Sequence, residues 1–244
     1  MMKKDVARYA HIRALLIDID DTIVRRKASS SIEPGAAERS LLRVLEIAGR
    51  ELSGLSAEEV ARRMRQVEKN VSWWHWSDFI VALDLDPSEF WRFALEIERE
   101  YLEPTGPEIA AALDSLQLGG IFLYVASNNP SSGILHKLAI SGMANIHGTT
   151  LFHQLLGCNE LHAMKWEPIF WKKALAHIGF RGAEVAVIGD NPTDDCAIPL
   201  AVGISHSFLI DRTMDRSGAN TSNITHVQNF QQIADLLLHR EEIS

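Results

Sequence analysis

Hydrophobic positions follow two rhythms along this chain. Short apolar runs that stop at polar or turn residues mark candidate buried parallel strands. They are ALLID at 14–18, IFLYVAS at 121–127, VAVIGD at 185–190 and a weaker GISHSFLI at 203–210. Between them, apolar positions recur at the spacing of one helix face. Residues 107–117 read as a helix with proline at its start, and residues 131–142 open on serine caps and close on glycine. Residues 167–178, 193–201 and 229–239 are further helices, and the polar stretch 211–225 reads as a surface loop. Strand–helix alternation predicts an α/β fold, a Rossmann-like three-layer arrangement around a parallel sheet.

Residues 33–104 break this alternation. PGAAERSLLRVLEIAGREL, SAEEVARRMRQVEKNVSWWHW, SDFIVALDL and PSEFWRFALEIEREYL all keep helical spacing and show no convincing strand. Ser56, Ser77 and Ser88 read as N-caps or first-turn residues. Four helices between the first and second strands exceed a single crossover. The expected organisation is an α/β core of residues 1–32 and 105–244 with an inserted all-helical domain of residues 33–104. The sharpest feature of the insert is SWWHW at 72–76. Trp73, Trp76 and Ile80 share one helical face, so packing between helices is the favoured reading. The other reading is an aromatic wall of Trp73, Trp74, His75 and Trp76 turned toward a substrate.

Composition narrows the function. A chain of 244 residues buries roughly 70–75% of its unfolded surface and needs no disulfide to be stable. Its two cysteines, Cys158 and Cys196, lie in unrelated contexts and read as reduced small hydrophobes. The ten histidines show no zinc-ligand spacing. A net charge of −8 argues against a nucleic-acid surface. No 18-residue apolar run suggests a membrane span, and the stretch MMKKDVARYAHIR has no apolar signal core, so the expectation is a cytoplasmic protein without membrane partners.

The first apolar run drives straight into carboxylates, Asp18, Asp20 and Asp21, followed by Thr22. Unpaired charge at a buried strand end is costly and demands a partner or a metal. In an open parallel sheet, ligands sit at the carboxyl ends of the strands. The second run ends in Ser127 and Asn128, with Asn129 beside them. The third ends in Asp190, with Asp194 and Asp195 following, and Lys165 lies between the second and third. Hard oxygen ligands clustered in this way suit Mg²⁺, which takes carboxylates, water and a substrate phosphate.

On these residues the sequence resembles the haloacid dehalogenase (HAD) superfamily. DIDDT at 18–22, YVASN at 124–128, Lys165 and VIGDNPTDD at 187–195 look like its four motifs, in order. The resemblance covers about residues 12–32 and 105–240. It implies that Asp18 is a nucleophile forming an aspartyl-phosphate, and that Asp20 is the general acid and then the base. It also implies that Ser127 and Lys165 grip phosphoryl oxygens. Mg²⁺ would be held by Asp18, the Asp20 carbonyl and Asp190, with Asp195 favoured over Asp194 as support. Asp21 and Thr22 read as structural, the Thr22 hydroxyl lying close to substrate, and Asn128 and Asn129 are candidate substrate contacts. Lys137, in the middle of its helix, reads as a solvated surface charge, and RRK at 25–27 as a solvated basic turn.

Family members that attack carbon lack the second aspartate, so Asp20 favours phosphate chemistry. The helical insert resembles a cap between the first and second motifs, which suits a small phosphorylated metabolite. The expected activity is a Mg²⁺-dependent phosphatase. A sugar-phosphate mutase or phosphotransferase, or a catalytically silent binding member, remain alternatives at this stage.

Overall fold

The structure, a computed structural model, describes residues 6–27, 40–70, 76–103, 106–144, 151–212 and 221–238. Its strands are β1 (Ala14–Ile17), β2 (Arg25–Arg26), β3 (Leu102–Glu103), β4 (Phe122–Ala126), β5 (Gln154–Leu156), β6 (Val185–Gly189), β7 (His206–Ile210) and β8 (Ile224–Val227). The helices are α1 (Val6–Tyr9), α2 (Ser40–Glu51), α3 (Ala57–Glu68), α4 (Trp76–Ala82), α5 (Pro87–Tyr101), α6 (Pro107–Leu118), α7 (Ser131–Ile140), α8 (Cys158–Leu161), α9 (Pro168–Ile178), α10 (Ile198–Ala201) and α11 (Phe230–Leu238).

Six strands form one parallel sheet in the order β5-β4-β1-β6-β7-β8. Both faces are covered, which is why β1, β6 and β7 are apolar or buried at every position. Side chains alternate between the faces. Leu15, Ile17, Leu123, Val125 and Ile188 pack against α6, α7 and α11. Ala14, Leu16, Tyr124, Ala126 and Val187 pack against α9. The fold is therefore an α/β Rossmann-like sandwich of three layers. Because β1 lies between β4 and β6, the carboxyl ends of those three strands converge at one spot.

Helices α2 to α5 bury a hydrophobic cluster of their own, built on Val44, Leu45, Val60, Phe79, Leu83 and Phe90. Ser56 caps α3 by accepting from the Glu59 N–H, and Asp86 caps α5 through the Glu89 N–H ahead of Pro87. Cys158 and Met164 from the sheet-bearing part join this cluster, and α5 lies along α7. The boundaries expected at 32/33 and 104/105 fall outside the described residues, as do Ser72, Trp73, Trp74 and His75. Trp76 is described, and it is buried against Phe79.

Several expectations need correction. Arg25 and Arg26 do not form a basic turn. They pair antiparallel with Leu102 and Glu103, so a strand does occur at the end of the helical segment. Strands β5 and β8 also escaped the sequence pattern, being only three and four residues long. The polar loop after β7 gives way to strand at Ile224, inside the stretch expected to be loop. At the start of α7, the Ser131 N–H is capped by the Asn159 side chain rather than by serine. Both cysteines are buried and neither is in a disulfide. No helix among the described residues is long and apolar enough to cross a membrane.

Candidate active site

β1 delivers Asp18 as the first residue beyond its ladder. The Asp18 N–H still donates to the Ile188 carbonyl at 2.9 Å, which fixes the residue between two strands. Its carboxylate is buried. Oδ1 lies 2.6 Å from Lys165 Nζ, and Oδ2 accepts from Thr22 Oγ1 at 3.2 Å. Burial raises the Asp18 carboxyl well above the usual range. Lys165 pulls it back, while Asp195, Asp20 and Asp190 push it up further. The chain then turns sharply: the Ile23 and Val24 N–H groups both donate to the Ile19 carbonyl. Asp21 sits at φ +53° in this turn, a left-handed conformation that aspartate tolerates better than most residues. That is a structural role. Arg212, just after β7, clamps the turn by donating to the Asp21 and Thr22 carbonyls.

Lys165 is buried, and its ammonium bridges Asp18 and Asp195, each at 2.6 Å. Burial works against this charge, but Asp18 and Asp195 outweigh it and raise the Lys165 pKa. Its backbone is held as well: its N–H donates to Asn128 Oδ1 at 2.7 Å, and its carbonyl accepts from Trp171 Nε1. Asn128 thus positions Lys165. Asp195 rises from a single π-helical turn, Pro192–Ala197, and its Oδ2 accepts from the Asn191 N–H. Such turns are frequent at functional sites. Asp18, Asp190 and Asp195 place one ligand atom each within 4.8 Å of one another. Asp194 is not in this group. Its N–H caps the turn through Asn191 Oδ1.

Asp190 is raised to about 6, first by burial and then by Asp195 and Asp21. The site therefore holds more carboxylate than Lys165 can neutralise. An all-oxygen donor set with excess negative charge fits a hard divalent cation.

Ser127 ends β4, fully buried, with Oγ accepting from Asn129 N and Asn129 Nδ2 at 3.1 and 2.9 Å. The same Asn129 amide donates to Asp20 Oδ2 at 2.6 Å. Asp20 is half-buried, and its other oxygen lies 2.5 Å from Lys137 Nζ. Burial pushes the Asp20 carboxyl up. The Lys137 charge and hydrogen bond, with the Asn129 amide, reverse this and hold it below the usual range.

The structure overturns the reading of Lys137 as a surface charge, since it is 2% exposed and belongs to the site. The signal was in the sequence. Ile134, Lys137, Leu138 and Ser141 have i, i+3, i+4, i+7 spacing and are all buried, so the lysine sits on the inward stripe of α7. Glu98 was missed too, and it shares the buried stripe of α5 with Phe90 and Ala94. Its Oε2 lies 3.3 Å from His136 Nε2. Burial raises Glu98 to about 7, with Lys137 lowering it and Asp20 raising it. Arg212 carries no motif that points to its clamp.

Residues 12–203 match a family model described as haloacid dehalogenase-like hydrolase. No curated protein matches the sequence. Solved structures share the fold. A HAD phosphatase from Thermococcus onnurineus superposes with a TM-score of 0.60 at 23% identity, over 92% of this chain and 97% of that one. A putative HAD hydrolase from Bacillus subtilis bound to magnesium gives 0.55 at 17% identity, over 93% and 98%. The L-2-haloacid dehalogenase of Xanthobacter autotrophicus, with chloropropionic acid covalently bound, gives 0.56 at 17% identity, over 92% and 98%.

Proposed function

The chain belongs to the haloacid dehalogenase-like hydrolases, and from that premise we propose that it is a Mg²⁺-dependent phosphatase of small phosphate monoesters. The observation that carries this reading is the pairing of Asp18 with a second carboxylate, Asp20, beside the Asp18–Asp190–Asp195 group. A halide leaves carbon without a proton and needs no cation, so both features would only add repulsion in a dehalogenase. An alkoxide leaving phosphorus needs a proton, and the phosphate oxygens need positive charge.

In this reading Asp18 Oδ2 or Oδ1 attacks phosphorus and forms an aspartyl-phosphate while the P–O ester bond breaks. Asp20, having taken up a proton, gives it to the departing oxygen. Water then attacks the aspartyl-phosphate, its proton passing to Asp20, and phosphate leaves with Asp18 regenerated. The ionised Asp20 of this structure is the state from which the second step starts. Lys165 and Ser127 would grip the phosphoryl oxygens, with Thr22 holding Asp18 and Asn128 holding Lys165. Mg²⁺ would be held by Asp18, the Asp20 carbonyl and Asp190, supported by Asp195, and would supply the charge that offsets the carboxylates against an anionic substrate.

Helices α2 to α5 would serve as a cap, residues 33–104, on a core of residues 1–32 and 105–244. The cluster that is built mainly from these helices and the two-residue ribbon β2–β3 at the crossing support this division. A cap limits the substrate to a small metabolite and excludes water from the aspartyl-phosphate until the base is in place.

Hydrolysis of 4-nitrophenyl phosphate with Mg²⁺ and with EDTA, beside Asp18→Asn, tests the reading. Metal-dependent phosphate release that the variant loses is the expected result. Release that survives in the variant removes Asp18 as nucleophile. Halide release from a 2-haloacid, without release from any phosphate ester, would replace the reading with dehalogenation.

A further inference from the structure

A lysine buried inside a parallel α/β domain needs a reason, since burial disfavours its charge. Lys165 has one in the Asp18–Asp195 pair. Lys137 is equally enclosed and lies on another helix, and the phosphoryl-gripping roles do not use it. Its Nζ meets Asp20 Oδ1 at 2.5 Å. The Glu98 carboxyl of α5, which lies 3.3 Å from His136, the neighbour of Lys137 in sequence, favours the charged lysine as Asp20 does. Asp20 is more open than Asp18, with 34% of its side chain exposed against 9%. Without a tether on Oδ1, its direct hold among the described residues is the Asn129 amide on Oδ2.

We propose that Lys137 is the positioning residue for Asp20, fixing that carboxylate over the reacting centre. The assignment rests on the phosphatase reading and extends it. His136 completes the arrangement. Its Nε2 faces Glu98 Oε2 of α5 at 3.3 Å. Trp91 of α5 lies against the His136 ring, with centroids 6.2 Å apart. The α5–α7 contact therefore registers the helical cluster directly against the residue that holds Asp20.

The test uses leaving-group chemistry. 4-Nitrophenolate departs from phosphorus without protonation, whereas the alkoxide of glycerol 2-phosphate needs a proton from Asp20. Because a placed general acid contributes roughly 10²–10⁴-fold, Lys137→Met is expected to lower kcat/KM for glycerol 2-phosphate by about tenfold or more. With 4-nitrophenyl phosphate the loss in kcat/KM is several-fold smaller. In an Asp20→Asn background, the same substitution adds no further loss, because the two residues act as one unit. Lys137→Gln shows the same preference and decides the matter should Lys137→Met fail to fold. Equal losses on both esters, or a full additional loss in the Asp20→Asn background, overturn the role of Lys137 alone. Wild-type protein that hydrolyses neither ester overturns the phosphatase reading and the role together.

Discussion

Gly189 lies directly beneath Asp195: a Cβ built on Gly189 would stand 2.1 Å from the Asp195 carboxyl carbon. Strand β6 can end against the π-helical turn only because its last residue has no side chain. The buried Asp195 then reaches Lys165, and Lys165 reaches Asp18. A glycine on the strand beside β1 thus sets the position of the lysine that meets Asp18.

Gly189→Ala is therefore expected to push Asp195 out of contact with Lys165. The overpacking costs about 1–3 kcal/mol of stability, visible as a lower denaturation midpoint. Turnover should fall further than stability alone explains, because Lys165 loses one of its two carboxylates. A variant with wild-type kcat would show that Asp195 does not need to sit where it does.

The cation makes a second prediction. A ligand that binds only the folded chain stabilises it by mass action. At about a hundredfold its dissociation constant, Mg²⁺ would contribute about 2.7 kcal/mol, or roughly 5–10 °C in Tm for a chain of this size. Asp190→Asn removes a carboxylate from the group and is expected to abolish the Mg²⁺-induced shift while the metal-free protein still melts cooperatively. An unchanged shift would move the cation away from Asp190.

Much of this arrangement is legible in the sequence, and the rest is hidden for identifiable reasons. Asp18, Ser127 and Asp190 follow strand ends that apolar runs announce, and β1, β4 and β6 fall where those runs place them. Lys165 sits beside a proline-started helix and is buried as a site lysine should be. Short edge elements were invisible: β5 and β8 carry too few residues for a period to show. Lys137 was misread because charge was allowed to outweigh spacing, although its neighbours at 134, 138 and 141 mark the buried stripe of α7. Arg212 could not be foreseen, since its partners are the backbone carbonyls of Asp21 and Thr22, nearly two hundred positions earlier.

Trp76 gives a third prediction. It is buried in the helical cluster against Phe79, and Cys158 of the sheet-bearing part joins the same cluster. Trp76→Ala should cost about 3–5 kcal/mol. Below the lowered melting temperature, the ranking of phosphate esters by kcat/KM should be preserved. A reordered ranking at unchanged stability would make Trp76 a substrate contact instead of a packing residue.

The last prediction concerns pH. Glu98 is buried and raised to about 7, against an unfolded value of about 4.3. Between those values the folded chain holds a proton that the unfolded chain has released. The slope of stability with pH is set by protons bound unfolded minus folded, so this contribution falls as pH rises. It is complete below the unfolded pKa and is lost on passing through about 7. The Glu98 carboxyl faces His136 Nε2, with Oε2 3.3 Å away. Glutamine can donate to the same nitrogen without titrating. Denaturant melts from pH 5 to pH 8 should therefore show Glu98→Gln gaining on the wild type by about 3 kcal/mol, the linkage value of a shift of this size. Parallel curves for the two proteins would mean that Glu98 enters the fold ionised and that Lys137 alone neutralises it.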